Sequence, residues 1–178
     1  MTGRLALLLV IVALAAPACG TNGEPSSQPT TSTPTTATRD ELPPVVARKR
    51  DAIVTAARAF DYERLEMLLD PKTFTYSFGV SGDPVGYWRR LEDEGEVPIL
   101  GDYLPVVLSA PWAKSGHVYA WPSAYAKSPS EWVAEDRQWL RNLYTDEEIR
   151  QFERAGNYVG WRAGIRGDGK WLFFVAGD

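Results

Sequence analysis

Two spacings alternate along this chain once its N-terminal segment is passed. After Pro43-Pro44, the residues Val46, Ile53, Ala56, Ala57 and Phe60 recur at helical intervals and predict a helix to about Ala59. Proline suits the first turn, where its missing N–H would have had no helical partner. Asp61 suits the cap of a short second helix carrying Leu65, Leu68 and Leu69, and Pro71 stops it at Asp70. Thr73 to Phe78 then alternates strictly, with Phe74, Tyr76 and Phe78 on one side, as a half-buried strand does. Gly79 to Asp83 reads as a turn. Asp83-Pro84 opens a third helix with Tyr87, Trp88 and Leu91 inward and Gly95 at its end.

Further along, Asp102 to Ser109 contains the run Val106-Val107-Leu108, whose period fits helix and strand equally. His117 to Trp121 reads as a strand. Ser128-Pro129 opens a helix with Trp132, Val133, Trp139, Leu140 and Leu143 as its inner stripe. Thr145 and Glu148 have capping-box spacing, starting a helix that holds Ile149 and Phe152 and ends at Gly156. Tyr158 to Arg166 and Lys170 to Val175 flank Gly167-Asp168-Gly169, the strongest hairpin signal in the chain, with Val159, Trp161, Ala163 and Ile165 on one face. Helices, a strand, a helix and then strands make an α+β pattern, not regular strand–helix alternation. The expected architecture packs N-terminal helices and a helical insertion on a curved antiparallel sheet that ends in a C-terminal hairpin.

The start of the chain follows neither period. A basic opening with Arg4 leads into the apolar run Leu5 to Ala18, which as a helix would reach about 21 Å against a hydrocarbon core of roughly 30 Å. The run ends in the small residues Ala16-Pro17-Ala18, directly before Cys19, the only cysteine. This order reads as a signal peptide over residues 1–18, and it resembles the lipobox of bacterial lipoproteins. Ala16 stands where that motif usually has leucine, and Ala16-x-Ala18 also fits ordinary signal peptidase. The resemblance implies that Cys19 is the first mature residue and carries a diacylglycerol. A lone exported thiol next to a cleavage site is best explained by such a modification. Two long chains add to well over ~10 kcal/mol of membrane attachment at about 0.8 kcal/mol per methylene. The expected location is the extracytoplasmic face of the cell membrane, with the lipid anchor as the membrane contact.

From Cys19 to Glu41 the composition is dominated by Pro, Thr and Ser, with little to bury. Such a stretch cannot offset its conformational entropy and is expected to be a disordered tether, about 25 Å long as a coil and about 60 Å if extended. Its Ser/Thr/Pro bias permits O-glycosylation. Residues 42–178 then form a single expected domain of ordinary size, able to bury roughly two-thirds of its unfolded surface without disulfides.

Residues 56–71, from Ala56 through Asp61, Tyr62, Leu68 and Leu69 to Pro71, followed by Phe74-Thr75-Tyr76, resemble the opening of nuclear-transport-factor-2-like (SnoaL-like) domains. That resemblance implies a long helix, a short helix and a strand feeding a cone-shaped sheet with a pocket at its mouth. Members include binding modules, dimerisation units and enzymes with an Asp/His pair. The stretch from Pro129 to Ala155 departs from the pattern, because the family has mostly strands there.

Charge and chemistry narrow the function. Without Arg4, the 19 basic residues become 18 against 23 acidic ones, a net charge of −5. Such a surface does not seek phosphate backbones, so no nucleic-acid partner is expected. Arg48-Lys49-Arg50 is isolated and reads as the exposed face of a helix. One histidine, His117, and one acylated cysteine leave no zinc set and no nucleophile–base pair. Acidic residues cluster at Glu92-Asp93-Glu94 with Glu96 and at Asp146 to Glu148, but helix ends explain them. The glycines at 79 and 82 and at 164, 167 and 169 lack the lysine and context of a phosphate loop. No catalytic residue, metal or cofactor is assigned.

The aromatics are the suggestive feature. Trp112, Tyr119, Trp121 and Tyr125 sit around Pro122, while Tyr76, Tyr87 and Trp88 flank the 79–84 turn. Aromatic faces stack on sugars and peptides while their polar atoms hold a hydrogen bond. The candidate ligand-binding residues are therefore Tyr76, Asp83, Trp88, Tyr119 and Trp121. The reading that follows is a lipid-anchored envelope protein whose domain binds a small molecule, a cell-wall glycan or an envelope protein. Two alternatives stand beside it. One is a carboxylate-based cell-wall hydrolase or isomerase, marked by Tyr76, Asp83 and His117 in one pocket. The other is a structural or assembly subunit, marked by a solid aromatic core.

Overall fold

The computed structural model describes residues 41–76, 82–95 and 99–177. The expected signal peptide, the anchor Cys19, the tether before Glu41, and Phe78 with residues 79–81 of the expected 79–83 turn lie outside these residues.

Helix α1 (Pro44–Arg58) buries Val46, Ile53, Ala56 and Ala57, as its spacing predicts. Phe60 does not join them. The helix closes with Phe60 N–H donating to Ala57 O at 3.1 Å and Asp61 N–H to Ala56 O at 2.9 Å. This paired closure puts Phe60 in the left-handed region, at φ 52°, a place usually held by glycine. Its ring turns outward, 51% exposed, over Gly101. Helix α2 (Tyr62–Leu68) is capped by Asp61, whose carboxylate accepts from Arg64 N–H at 2.9 Å. Lys49 of α1 donates to the Leu68 carbonyl at 3.0 Å and ties the two helices together.

The predicted strand 73–78 is shorter in its described part. Phe74 and Tyr76 are buried and Thr75 exposed, as the alternation requires, but Thr75 alone forms a bridge, parallel to Phe173. Helix α3 (Pro84–Asp93) starts under an Asp83 cap. The ambiguous segment near residue 102 is helical: a π-helical turn (Ile99–Tyr103) runs directly into α4 (Leu104–Ser109). Leu104, Val107 and Leu108 are buried there, so burial decides what the period leaves open.

Four strands, β1 (Ala113–Ser115), β2 (Val118–Trp121), β3 (Arg162–Arg166) and β4 (Trp171–Val175), form one antiparallel sheet in chain order. The two-residue turn Gly116-His117 pairs Ser115 with Val118. The register of β3 against β4 shifts between Gly164 and Ile165, leaving Leu172 as an extra residue. That bulge brings Trp171 and Phe174, three positions apart, to one face. They join Tyr119, Trp121, Ala163 and Ile165 against α1 and α4. Leu172 in turn accepts from Thr75 N–H at 2.9 Å.

Residues 123–160, between β2 and β3, form the helical insertion. They contain two 3₁₀ turns (Ser123–Ala126 and Pro129–Glu131), α5 (Ala134–Leu140) and α6 (Asp146–Ala155). The single helix expected from Pro129 is broken at Trp132 and Val133, which are extended. Trp132 spends its indole N–H on the Ala124 carbonyl at 2.9 Å, and Asp136 accepts from Val133 N–H at 3.0 Å as a helix cap does. Val133, expected inside, is therefore 54% exposed. The capping box at Thr145 forms as its spacing predicts. The insertion has its own small core of Ala124, Trp132, Leu140, Ile149, Phe152 and Tyr158. The whole is an α+β fold, with N-terminal helices and a helical insertion on an antiparallel sheet ending in the β3–β4 hairpin.

Candidate functional site

The inner face of the sheet is filled. Trp88 meets Phe74, Tyr76 and Phe174 edge-on at 5.9, 6.2 and 5.4 Å, and stacks on Trp171 at 6.4 Å. This places four of the sequence-derived ligand residues. Tyr76, Trp88, Tyr119 and Trp121 are all buried in this core. Tyr76 and Trp88 touch each other, while Tyr119 and Trp121 come from β2, two residues apart on the same face. None of the four lines a described cleft. Burial also raises the Tyr76 hydroxyl above its ordinary pKa, with the Asp83 carboxylate adding to the effect. The indole N–H groups of Trp88 and Trp121 have no acceptor among the described residues.

Asp83 faces solvent and serves α3, accepting from Gly86 N–H at 2.8 Å; it also edges a cleft of about 370 Å³ with Leu69 and Pro71. His117 is exposed on the β1–β2 turn. No described cleft brings Tyr76, Asp83 and His117 together. Among the described residues, no group of His, Cys, Asp or Glu side chains is placed to hold a metal ion, and no helix is long and apolar enough to cross a membrane.

The outer face of the sheet is different. The insertion covers it only in part and leaves a cleft of about 430 Å³, within the usual range of roughly 300–1,000 Å³ for ligand sites. Val118 and Ala120 of β2 and Phe173 of β4 form its floor, with Tyr125, Lys127 and Ser115 around them. Gly164 makes the floor flat. A Cβ there would fall 2.2 Å from Phe173 Cε1, so only glycine lets that ring lie across β3. The Tyr125 ring stands edge-on to Phe173 at 6.0 Å, and the Arg162 guanidinium lies 5.2 Å from its centre. Arg162 is itself buried and donates to the Gly160 and Gly177 carbonyls at 3.1 and 2.8 Å. It is a fixed positive charge behind the aromatic wall.

Lys127 is held by the insertion. Its ammonium bonds both oxygens of Asp136, at 2.9 and 2.7 Å, and Ser123 Oγ donates to the same carboxylate at 2.8 Å. Burial pushes the Asp136 carboxyl up, but the bonds from Lys127, Ser123 and Val133 N–H outweigh it and hold the group below its ordinary pKa. Lysine has three donors and Asp136 takes two, and Lys127 also lines the cleft. The cleft thus combines apolar strand side chains, two aromatic rings and a rim of ammonium, serine hydroxyl and phenol. It can bind a ring with an apolar face and polar edges.

Tyr125 is among the aromatics around Pro122 but not among the residues that the sequence marks as candidates, and neither Lys127 nor Phe173 stands out there. Strand alternation was the available signal: Tyr119 and Trp121 share one face with Ile165, so Val118 and Ala120 must face the other side. No family model, curated protein or solved structure matches the chain.

Proposed function

We propose that this chain is a lipoprotein of the bacterial cell envelope, held at the extracytoplasmic membrane face through Cys19, whose domain is a binding module for a small molecule or a cell-wall glycan. The outer-face cleft carries the binding reading. A sugar ring or similar small molecule would lay its apolar face on Phe173 and Tyr125 and direct its hydroxyls to Lys127 and Ser115. The signal-like start and lone cysteine carry the anchoring reading. Residues 56–76 resemble the opening of nuclear-transport-factor-2-like domains, whose members include binding modules as well as enzymes.

The test is a thermal-shift screen of the folded domain against muropeptide fragments, N-acetylglucosamine oligomers and small metabolites. At least one probe should raise the melting temperature, and Tyr125→Ala should abolish that shift with little effect on the unliganded protein, since Tyr125 is 39% exposed. A screen without hits, or a shift that survives Tyr125→Ala, refutes the site. Anchoring is tested separately: Cys19→Ser should move the protein out of the membrane fraction, and continued residence there counts against it. The assembly-subunit reading draws on another observation, the solid aromatic core between Trp88, Trp171 and Phe174.

A further inference from the structure

The two edges of the sheet are treated differently. The β4 edge is closed: Thr75 donates to Leu172 O at 2.9 Å and accepts from Phe174 N–H at 3.0 Å. Leu69 adds a second bridge at Trp171. The opposite edge is β1, and among the described residues no strand lies beyond it.

Backbone register shows which groups of β1 face outward. Gly167 N–H donates to His117 O at 2.8 Å, so His117, and with it Tyr119 and Trp121, turn their backbone groups to β3. Val118 and Ala120 therefore turn theirs to β1, where they oppose Ser115 and Ala113. Ser115 and Ala113 are thus satisfied by β2. Lys114 and, continuing the alternation, Trp112 present N–H and C=O to the open side. Pro111 confirms the phase, because its carbonyl turns inward and accepts from Ser123 N–H at 2.6 Å.

A trough of about 530 Å³ lies on this edge. It is lined by the unbroken run 109–114, extended from Ala110 onward, together with Glu135 of α5, so an extended length of chain forms most of its wall. Such a wall, with donors and acceptors repeating every second residue, matches one kind of occupant: another extended backbone. The half-buried Trp112 indole, 5.4 Å from the Tyr119 ring, offers an apolar surface for one side chain of that occupant, and the exposed Lys114 lies beside it.

We propose that the β1 edge is a peptide-docking site that takes an extended segment of a partner protein as a fifth strand, bonded through the backbone groups of Trp112 and Lys114. Main-chain bonding supplies affinity in this mode of recognition, and the Trp112 surface selects an apolar residue. This site is separate from the outer-face cleft and stands or falls independently of it.

The experiment selects binders to the folded protein from a displayed library of random short peptides, and then measures their affinity for defined variants. Of the backbone groups, Lys114→Pro deletes only the outward N–H, which proline tolerates on a sheet edge. It should weaken binding by about tenfold, the scale of one lost backbone bond. Lys114→Ala changes the side chain and keeps the N–H, so it should hold binding within about twofold. Trp112→Ala should also weaken binding, and it covers the case in which the proline variant misfolds. In NMR spectra of the complex the Trp112 and Lys114 amides should shift and gain exchange protection. The proposal is overturned if no peptide is enriched, if Lys114→Pro and Lys114→Ala bind alike, if the shifts fall elsewhere, or if the edge is occupied only by a second copy of the chain.

Discussion

Lys127 Nζ lies 2.7 Å from Asp136 Oδ2, and the two ends of this bond differ sharply in exposure: the lysine side chain is 34% exposed and the carboxylate 3%. The acid is the committed partner. It also receives Ser123 Oγ and Val133 N–H, so one carboxylate fixes the first 3₁₀ turn, the start of α5 and the rim of the outer-face cleft. The contacts that hold the insertion together thus also shape the cleft.

Removing the acid should be costly. Asp136→Ala strands a buried hydroxyl, a backbone amide and an ammonium, and should destabilise the fold by about 3 kcal/mol in urea titrations. Lys127→Met leaves the acid two other donors and should cost about half as much, because an ammonium one-third exposed keeps part of its water. The pH sign follows from the lowered Asp136 pKa. Stability from this group is present above the unfolded carboxyl value of about 3.9, and is lost as pH falls through the lower folded value. In acid titrations followed by tryptophan fluorescence, wild type should lose stability steeply there and Asp136→Ala should lose less. Equal slopes would remove the acid from this role.

Gly164→Ala tests the floor of the cleft. The added methyl meets the Phe173 ring at 2.2 Å and forces it aside. The expected cost is about 1–3 kcal/mol, as for other overpacking changes. Because the Phe173 ring lines the cleft, any ligand of the outer face should also bind at least about tenfold more weakly, a loss near 1.4 kcal/mol. Wild-type stability together with wild-type binding would mean that the flat floor is incidental.

Local signals were legible in the sequence and through-space ones were not. The Asp61 cap, the Thr145 capping box and the Gly167–Gly169 turn each depend on residues within a few positions, and each forms where its spacing puts it. The helix from Pro129 fails because Trp132 and Asp136 answer to Ala124, Ser123 and Lys127, which lie 8 to 13 residues away. The same limit governed the candidate site. Tyr76, Trp88, Tyr119 and Trp121 look alike in sequence whether they line a pocket or fill a core, and only their packing together with Trp171 and Phe174 in one buried cluster settles that they fill it. Tyr125 escapes because the 3₁₀ turn after β2 carries the chain to the outer-face cleft.

Tyr62 offers a test of the N-terminal half. Its hydroxyl donates to Glu92 Oε2 at 2.6 Å, while Glu92 Oε1 accepts from Leu100 N–H at 2.7 Å, so one carboxylate joins α2, α3 and the π-helical turn. Partial burial, then the bond to Glu92, pushes the Tyr62 pKa up to about 12. The folded protein therefore holds this proton more tightly than the unfolded chain, whose tyrosines titrate near 10. Its contribution is complete below pH ~10 and disappears as pH rises through about 12. Tyr62→Phe should cost about 1 kcal/mol at neutral pH for the lost bond to a charged acceptor at a partly buried site. Across the alkaline window, wild-type stability should fall more steeply than that of Tyr62→Phe, because the other tyrosines titrate alike in both proteins. Parallel curves would show that Tyr62 shares no proton with Glu92, and the link between α2 and the π-helical turn would then rest on packing alone.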